Sequence, residues 1–157
     1  MNINVFKKQN KFLSFTKTFI VSLILGVMFT LCISLLFGYK YMIVASGSML
    51  PTLKVPTLVA VAPKDFDEIK KGDIITWKSG STYNTHRAYE ILEGGKVRTK
   101  GDNNPGPDAG YVTKDNYVGT VVMHLDLLGK IIVYIKEHIF LLALVVIYIF
   151  LMYLLLN

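Results

Sequence analysis

The chain has 157 residues, 52% of them hydrophobic, and a formal net charge of +6. That length holds one modest domain, and the apolar residues crowd toward the two ends instead of filling a single soluble core. The charge is equally uneven: residues 1–17 carry Lys7, Lys8, Lys11 and Lys17 with no acid, while residues 40–130 nearly balance, with about 12 basic against about 10 acidic side chains. A basic excess gathered ahead of an apolar run is a membrane-orientation signal, not a nucleic-acid footprint.

In chain order, residues 1–17 are expected to form a basic cytoplasmic tail. Residues 18–39 contain no charged side chain, a run of about 22 that is long enough to span a bilayer. It leaves through Tyr39-Lys40-Tyr41, aromatic and basic residues suited to the interface. The run exceeds the ~7–15 apolar residues of a signal-peptide core, so an uncleaved anchor is predicted. Residues 40–130 are expected to be an extracytoplasmic domain of mainly β structure. Thr57–Ala62, Asp73–Lys78, His86–Leu92, Val97–Lys100 and Tyr117–Met123 read as short strands, with Glu93-Gly94-Gly95-Lys96 as a hairpin signal. A small, strongly bent antiparallel assembly follows. Residues 131–157 are predicted to be a second apolar helix, uncharged from Ile139 to Leu156. Two spans would make a multi-pass protein of the cell membrane, with the β domain outside and Asn157 returned to the cytoplasm.

Cys32, inside the first apolar run, is the only cysteine, so the outer domain must be stable without an intrachain disulfide. No cysteine or second histidine stands at ligand spacing from His86, which argues against zinc. Neither metal nor cofactor is expected.

The chemistry begins just past the first apolar run, at Ser46-Gly47-Ser48-Met49-Leu50-Pro51-Thr52. A serine hydroxyl is a poor nucleophile until a base takes its proton. Histidine titrates near working pH and suits that role, and a carboxylate behind it fixes the tautomer and stabilises the imidazolium. Ser48, His86 and Asp108 offer these three groups. Taken singly, each has a plainer reading: Ser-Gly-Ser as a flexible exit from a helix, His86 as a satisfied or surface histidine, and Asp102-Asn103-Asn104-Pro105-Gly106-Pro107-Asp108 as an ordinary loop.

Taken together, the segments resemble the type I signal peptidases. The Ser-Gly-Ser-Met-x-Pro-Thr box is matched by residues 46–52, a Gly-Asp box by Gly72-Asp73-Ile74-Ile75, and the Lys-Gly-Asp-Asn-Asn box by residues 100–104 with Asp108 after it. At the third box the family divides between a lysine and a histidine base, and Thr85-His86-Arg87 fits the histidine type. The resemblance covers roughly residues 44–122 and implies a signal-peptidase-like antiparallel β domain flanked by apolar helices. It implies Ser48 as nucleophile, His86 as general base and Asp108 as its orienting acid. Asp102 would be important without clearly taking part in the reaction. Ser46 would set its hydroxyl beside the oxyanion, joining the Ser48 backbone N–H. Arg87 is a structural candidate for pairing with a loop aspartate, and His124 and His138 are read as interfacial or packing residues.

The implied substrates are signal-peptide-bearing precursors held in the lipid bilayer, with small side chains one and three residues before the cut. Met49, Leu50 and Leu53 are expected to rest on the bilayer or line a pocket. Accessory subunits stay open. A protease cleaving itself or one dedicated partner, and a non-catalytic membrane-anchored β scaffold, are the competing readings.

Overall fold

A computed structural model describes the backbone of residues 3–156 and the side chains from residue 13 to residue 156. Lys7, Lys8 and Lys11 therefore lie outside the described side chains. The chain divides between Tyr39 and Lys40 into two compact units.

The first unit is one helix, α1, over Ile3–Leu36. Within it, residues 13–36 are long and apolar enough to cross a membrane. The hydroxyls of Thr18, Thr30 and Ser34 donate to carbonyls about one turn back, at 3.1, 2.9 and 2.7 Å. These three hydroxyls are thus satisfied within the helix, the arrangement that hydrocarbon surroundings would require.

The second unit is a seven-stranded antiparallel sheet followed by a long helix. Its strands are β1 (Lys40–Val44), β2 (Thr57–Ala62), β3 (Ile74–Ser79), β4 (Thr82–Leu92), β5 (Lys96–Lys100), β6 (Tyr111–Val112) and β7 (Tyr117–Leu125). Their order across the sheet is β1-β2-β7-β3-β4-β5-β6. Register shifts at Ala60/Val61, Thr76/Trp77 and Ala88/Glu90 interrupt the ladders, and such bulges bend strands and sharpen their twist. The helix α2, Asp126–Leu156, follows β7 directly and packs on β2. It is also long and apolar enough to cross a membrane, and it starts five residues ahead of the apolar stretch 131–157.

The sheet buries residues on both faces. Ile75, Trp77, Ala88, Val97 and Val112 form one core with Phe66 and Ile69. Met49, Leu53, Val59 and Val61 form the other, with Ile74 packed against it. Consecutive Ile74 and Ile75 go to opposite cores because successive strand side chains alternate in direction.

Two features depart from the sequence reading. β1, β6 and the first half of β4 are additional pairing segments: Lys40–Val44 continues an apolar run that hides its strand pattern, and Thr82–Thr85 is too polar to signal one. Met49 and Leu53 are 0% exposed, so they hold the core and neither rest on a bilayer nor line the cleft; Leu50 alone of the three is exposed, at 37%. The cause is the 3₁₀ turn Gly47–Met49, after which the Leu53 N–H bonds the Met49 carbonyl at 2.9 Å and turns both side chains inward.

Truncating Leu53 to alanine should lower domain stability by about 2–5 kcal/mol, the usual cost of an emptied core site. Leu50→Ala should cost much less. Denaturant unfolding of the full chain in detergent compares them; equal small losses would contradict the packing described.

Candidate active site

The nucleophile candidate sits in the 3₁₀ turn Gly47–Met49, which follows β1 closely. Buried Met49 anchors this turn from below. The loop after β5 holds it from the side: Asn103 N–H donates to the Ser48 carbonyl at 2.8 Å. Gly101 makes that approach possible, because a Cβ there would stand 2.7 Å from the same carbonyl oxygen and 2.7 Å from Asn104 Nδ2. The Lys-Gly-Asp-Asn-Asn sequence is therefore a clasp on the backbone of Ser48.

His86 lies mid-strand in β4, paired with Ile75 of β3. Its Nε2 is 2.9 Å from Ser48 Oγ and its Nδ1 is 2.7 Å from Asp108 Oδ2. A carboxylate has no proton to give, so Nδ1 carries the hydrogen and Nε2 is left to accept from the Ser48 hydroxyl. The indole of Trp77 meets the imidazole edge-on, ring centres 5.6 Å apart at 66°. Asp108 is fixed in turn: Thr99 Oγ1 donates to the same Oδ2 at 2.6 Å, and the Asp108 N–H donates to the Thr99 carbonyl at 2.8 Å. Thr99 is fully buried. Nothing in the sequence singled it out; only its place one residue before the Lys100 box hinted at a supporting role.

The neighbouring residue, Arg87, points to the other face. Its Nε and one terminal nitrogen donate to the two oxygens of Asp102 at 2.9 and 2.7 Å. The other terminal nitrogen donates to the Gly72 carbonyl at 2.8 Å, and Thr52 Oγ1 donates to Asp102 Oδ2 at 2.5 Å. The Arg87–Asp102 pair thus ties β4, the Gly72-Asp73 turn and the end of the Ser48 segment together. Among the described residues, the side-chain hydrogen bonds of Asp102 go to Arg87 and Thr52, not to His86 or Ser48. The Arg87 guanidinium holds the Asp102 carboxyl below its usual range, with Thr52 adding to the effect. Asp102 correspondingly raises Arg87.

Ser46 Oγ is 3.3 Å from Ser48 Oγ. Among the described residues, His86 and Ser46 are the side-chain partners of the Ser48 hydroxyl. Both serines and His86 open on a cavity of roughly 300 Å³, walled by Met42, Val44 and Tyr83. Elsewhere, His124 lies 3.6 Å from Asp126, and His138 stacks on Tyr134 with centres 4.3 Å apart. Among the described residues no three His, Cys, Asp or Glu side chains gather as a metal would require.

The arrangement can move a proton from Ser48 to His86 while Asp108 steadies the imidazolium, which is the requirement for attack on a carbonyl. No family model matches the chain. The chain is similar to Signal peptidase I W of Bacillus subtilis (strain 168), 39% identical over 85 residues, which is 51% of this chain and 45% of that protein. The chain thus matches under half the length of that curated relative.

Because Asp102 has a lowered pKa in the fold, its contribution to stability is complete above the ordinary carboxylate range, near 3.9, and is lost as pH falls through the lower folded value. Asp102→Asn should therefore lower the melting temperature at pH 7 and flatten its fall between about pH 4 and 2. Melting curves across that range test this; an unchanged acid slope would contradict the Arg87–Asp102 assignment.

Proposed function

We propose that this protein is a membrane-bound serine endopeptidase, a type I signal peptidase of the histidine type, which removes signal peptides from secretory precursors. The observation that carries the reading is the continuous Ser48–His86–Asp108 hydrogen-bond chain, with contacts of 2.9 and 2.7 Å, opening on a cleft. The similarity to Signal peptidase I W supports the substrate class. The spans expected at 18–39 and within 131–157, the tail at 1–17 and the working domain at 40–130 belong to the same proposal, as does its extracytoplasmic placement.

In this mechanism Ser48 Oγ attacks the scissile carbonyl as its proton passes to His86 Nε2. The tetrahedral oxyanion is met by the Ser48 backbone N–H and the Ser46 hydroxyl, donors whose value appears only as charge develops. Collapse expels the amine, which takes the proton back from His86 and leaves an acyl ester on Ser48. Water, activated by the same imidazole, then hydrolyses the ester. Asp108 holds the ring in the required tautomer throughout. Asp102 acts at a distance, by keeping Arg87, Thr52 and the loop in place.

The cleft also suits an extended chain. β1 lies at one end of the strand order among the described residues, the position at which an added strand would pair, with its alternate side chains entering the adjoining cavity. The resemblance to the type I signal peptidases implies that these are small side chains, one and three residues before the cut.

Purified full-length protein in vesicles should cleave varied secretory precursors in trans. Ser48→Ala and His86→Ala should each abolish cleavage. Cleavage of itself or one partner alone would favour the dedicated protease, and absence of any cleavage the scaffold. Cleavage surviving in His86→Ala but lost on substituting a lysine would replace the histidine mechanism with a serine–lysine one.

A further inference from the structure

The second helix joins the sheet without a linker: β7 ends at Leu125 and α2 starts at Asp126. Further contacts fix the joint. Asp126 Oδ1 accepts a hydrogen bond of 2.7 Å from Thr57 Oγ1, and Thr57 is fully buried. Lys54 Nζ and His124 Nδ1 stand 3.7 and 3.6 Å from the same carboxylate. One turn on, Gly129 packs so closely on β2 that a Cβ would lie 2.5 Å from Thr57 Cα and 2.7 Å from the Leu58 nitrogen. Any side chain there would push helix and strand apart. The helix therefore leaves the domain in one direction and is not a hinged tail.

Its charges divide it in two. Lys130, Lys136 and Glu137 lie in the first part, and no charged side chain follows from Ile139 to Leu156. Charges are costly in hydrocarbon, so the bilayer takes the second part, about 27 Å of helix at ~1.5 Å per residue. Residues 126–138 then stand on the domain side, a further ~20 Å. Of the residues that receive the joint, Lys54 lies in the stretch from Ser48 to β2 that buried Leu53 pins, and Thr57 is the first residue of β2 at its end. Helix and nucleophile thus share one rigid support.

We propose that α2 is a strut that fixes the height of Ser48 above the bilayer, and so selects precursors by the length of chain between their apolar segment and the scissile bond. This rests on the proteolytic reading above. If the strut sets that height, a change in its length must appear as an equal change in the spacer the enzyme prefers.

The test uses full-length protein in vesicles and a series of tethered precursors whose spacer grows one residue at a time. Deleting residues 130–136 removes about two turns, or ~10 Å, and nearly preserves helical phase. The preferred spacer should shorten by about three residues, given ~3.3 Å per extended residue. Inserting seven helix-forming residues after Lys136 should lengthen it by about three, and this variant decides the question if the deletion does not fold. A Gly-Gly-Ser insertion between Leu125 and Asp126 should broaden the preference. All variants should cut an untethered peptide at the unaltered rate. A preference that stays put in the deletion or insertion variant, while the peptide is cut normally, overturns the strut alone. Failure of the unaltered protein to cut the peptide overturns the proteolytic reading, and the strut with it.

Discussion

The site depends on one backbone contact, the hydrogen bond from Asn103 N–H to the Ser48 carbonyl. It joins the turn after β1 to the loop after β5, segments that lie far apart in the order of strands. Gly101 is required at the crossing because the two backbones approach too closely for a Cβ. The same loop delivers Asp102 to Arg87 and Asp108 to His86. Without the Asn103 contact, Ser48 would lose the tie that sets its distance from His86, although Thr99 would still hold Asp108.

The rest follows from alternation along β4. His86 and Arg87 are adjacent, so their side chains leave the strand in opposite directions. His86 meets Trp77, Asp108 and Ser48, while Arg87 meets Asp102, Gly72 and Thr52. Each carboxylate thereby has one role. Asp108 faces a group that gains a proton, and Thr99 keeps it in position. Asp102 faces a permanently charged guanidinium in a two-pronged pair, a geometry that fixes orientation as well as charge. An Asp102 swung toward His86 would leave Arg87 without its partner.

Much of this was legible in the sequence because the segments are local and the residue types restrictive. The β-branched run Thr57–Ala62 coincides with β2, and residues 18–36 of the first apolar run and 131–156 of the second lie in the two long helices. Ser48, His86 and Asp108, read from separate boxes, come together in space. What stayed hidden depends on the tertiary arrangement. Lys40–Val44 becomes a strand because β2 offers it an edge, and Met49 and Leu53 turn inward because a 3₁₀ turn rotates them. Thr99 matters through one hydroxyl whose partner lies nine residues on. The Asp126–Gly129 joint is invisible in a helix read only as an apolar length.

The division of labour between the two carboxylates can be measured on one precursor, by kcat and KM for Asp108→Asn and Asp102→Asn in the full-length protein. Asp108→Asn should lose on the order of 10²–10⁴ in kcat with KM little changed, because the lost interaction strengthens as imidazolium forms. Asp102→Asn should keep kcat within about tenfold at temperatures where it remains folded. Near-normal kcat in Asp108→Asn together with collapse in folded Asp102→Asn would contradict the Ser48–His86–Asp108 assignment.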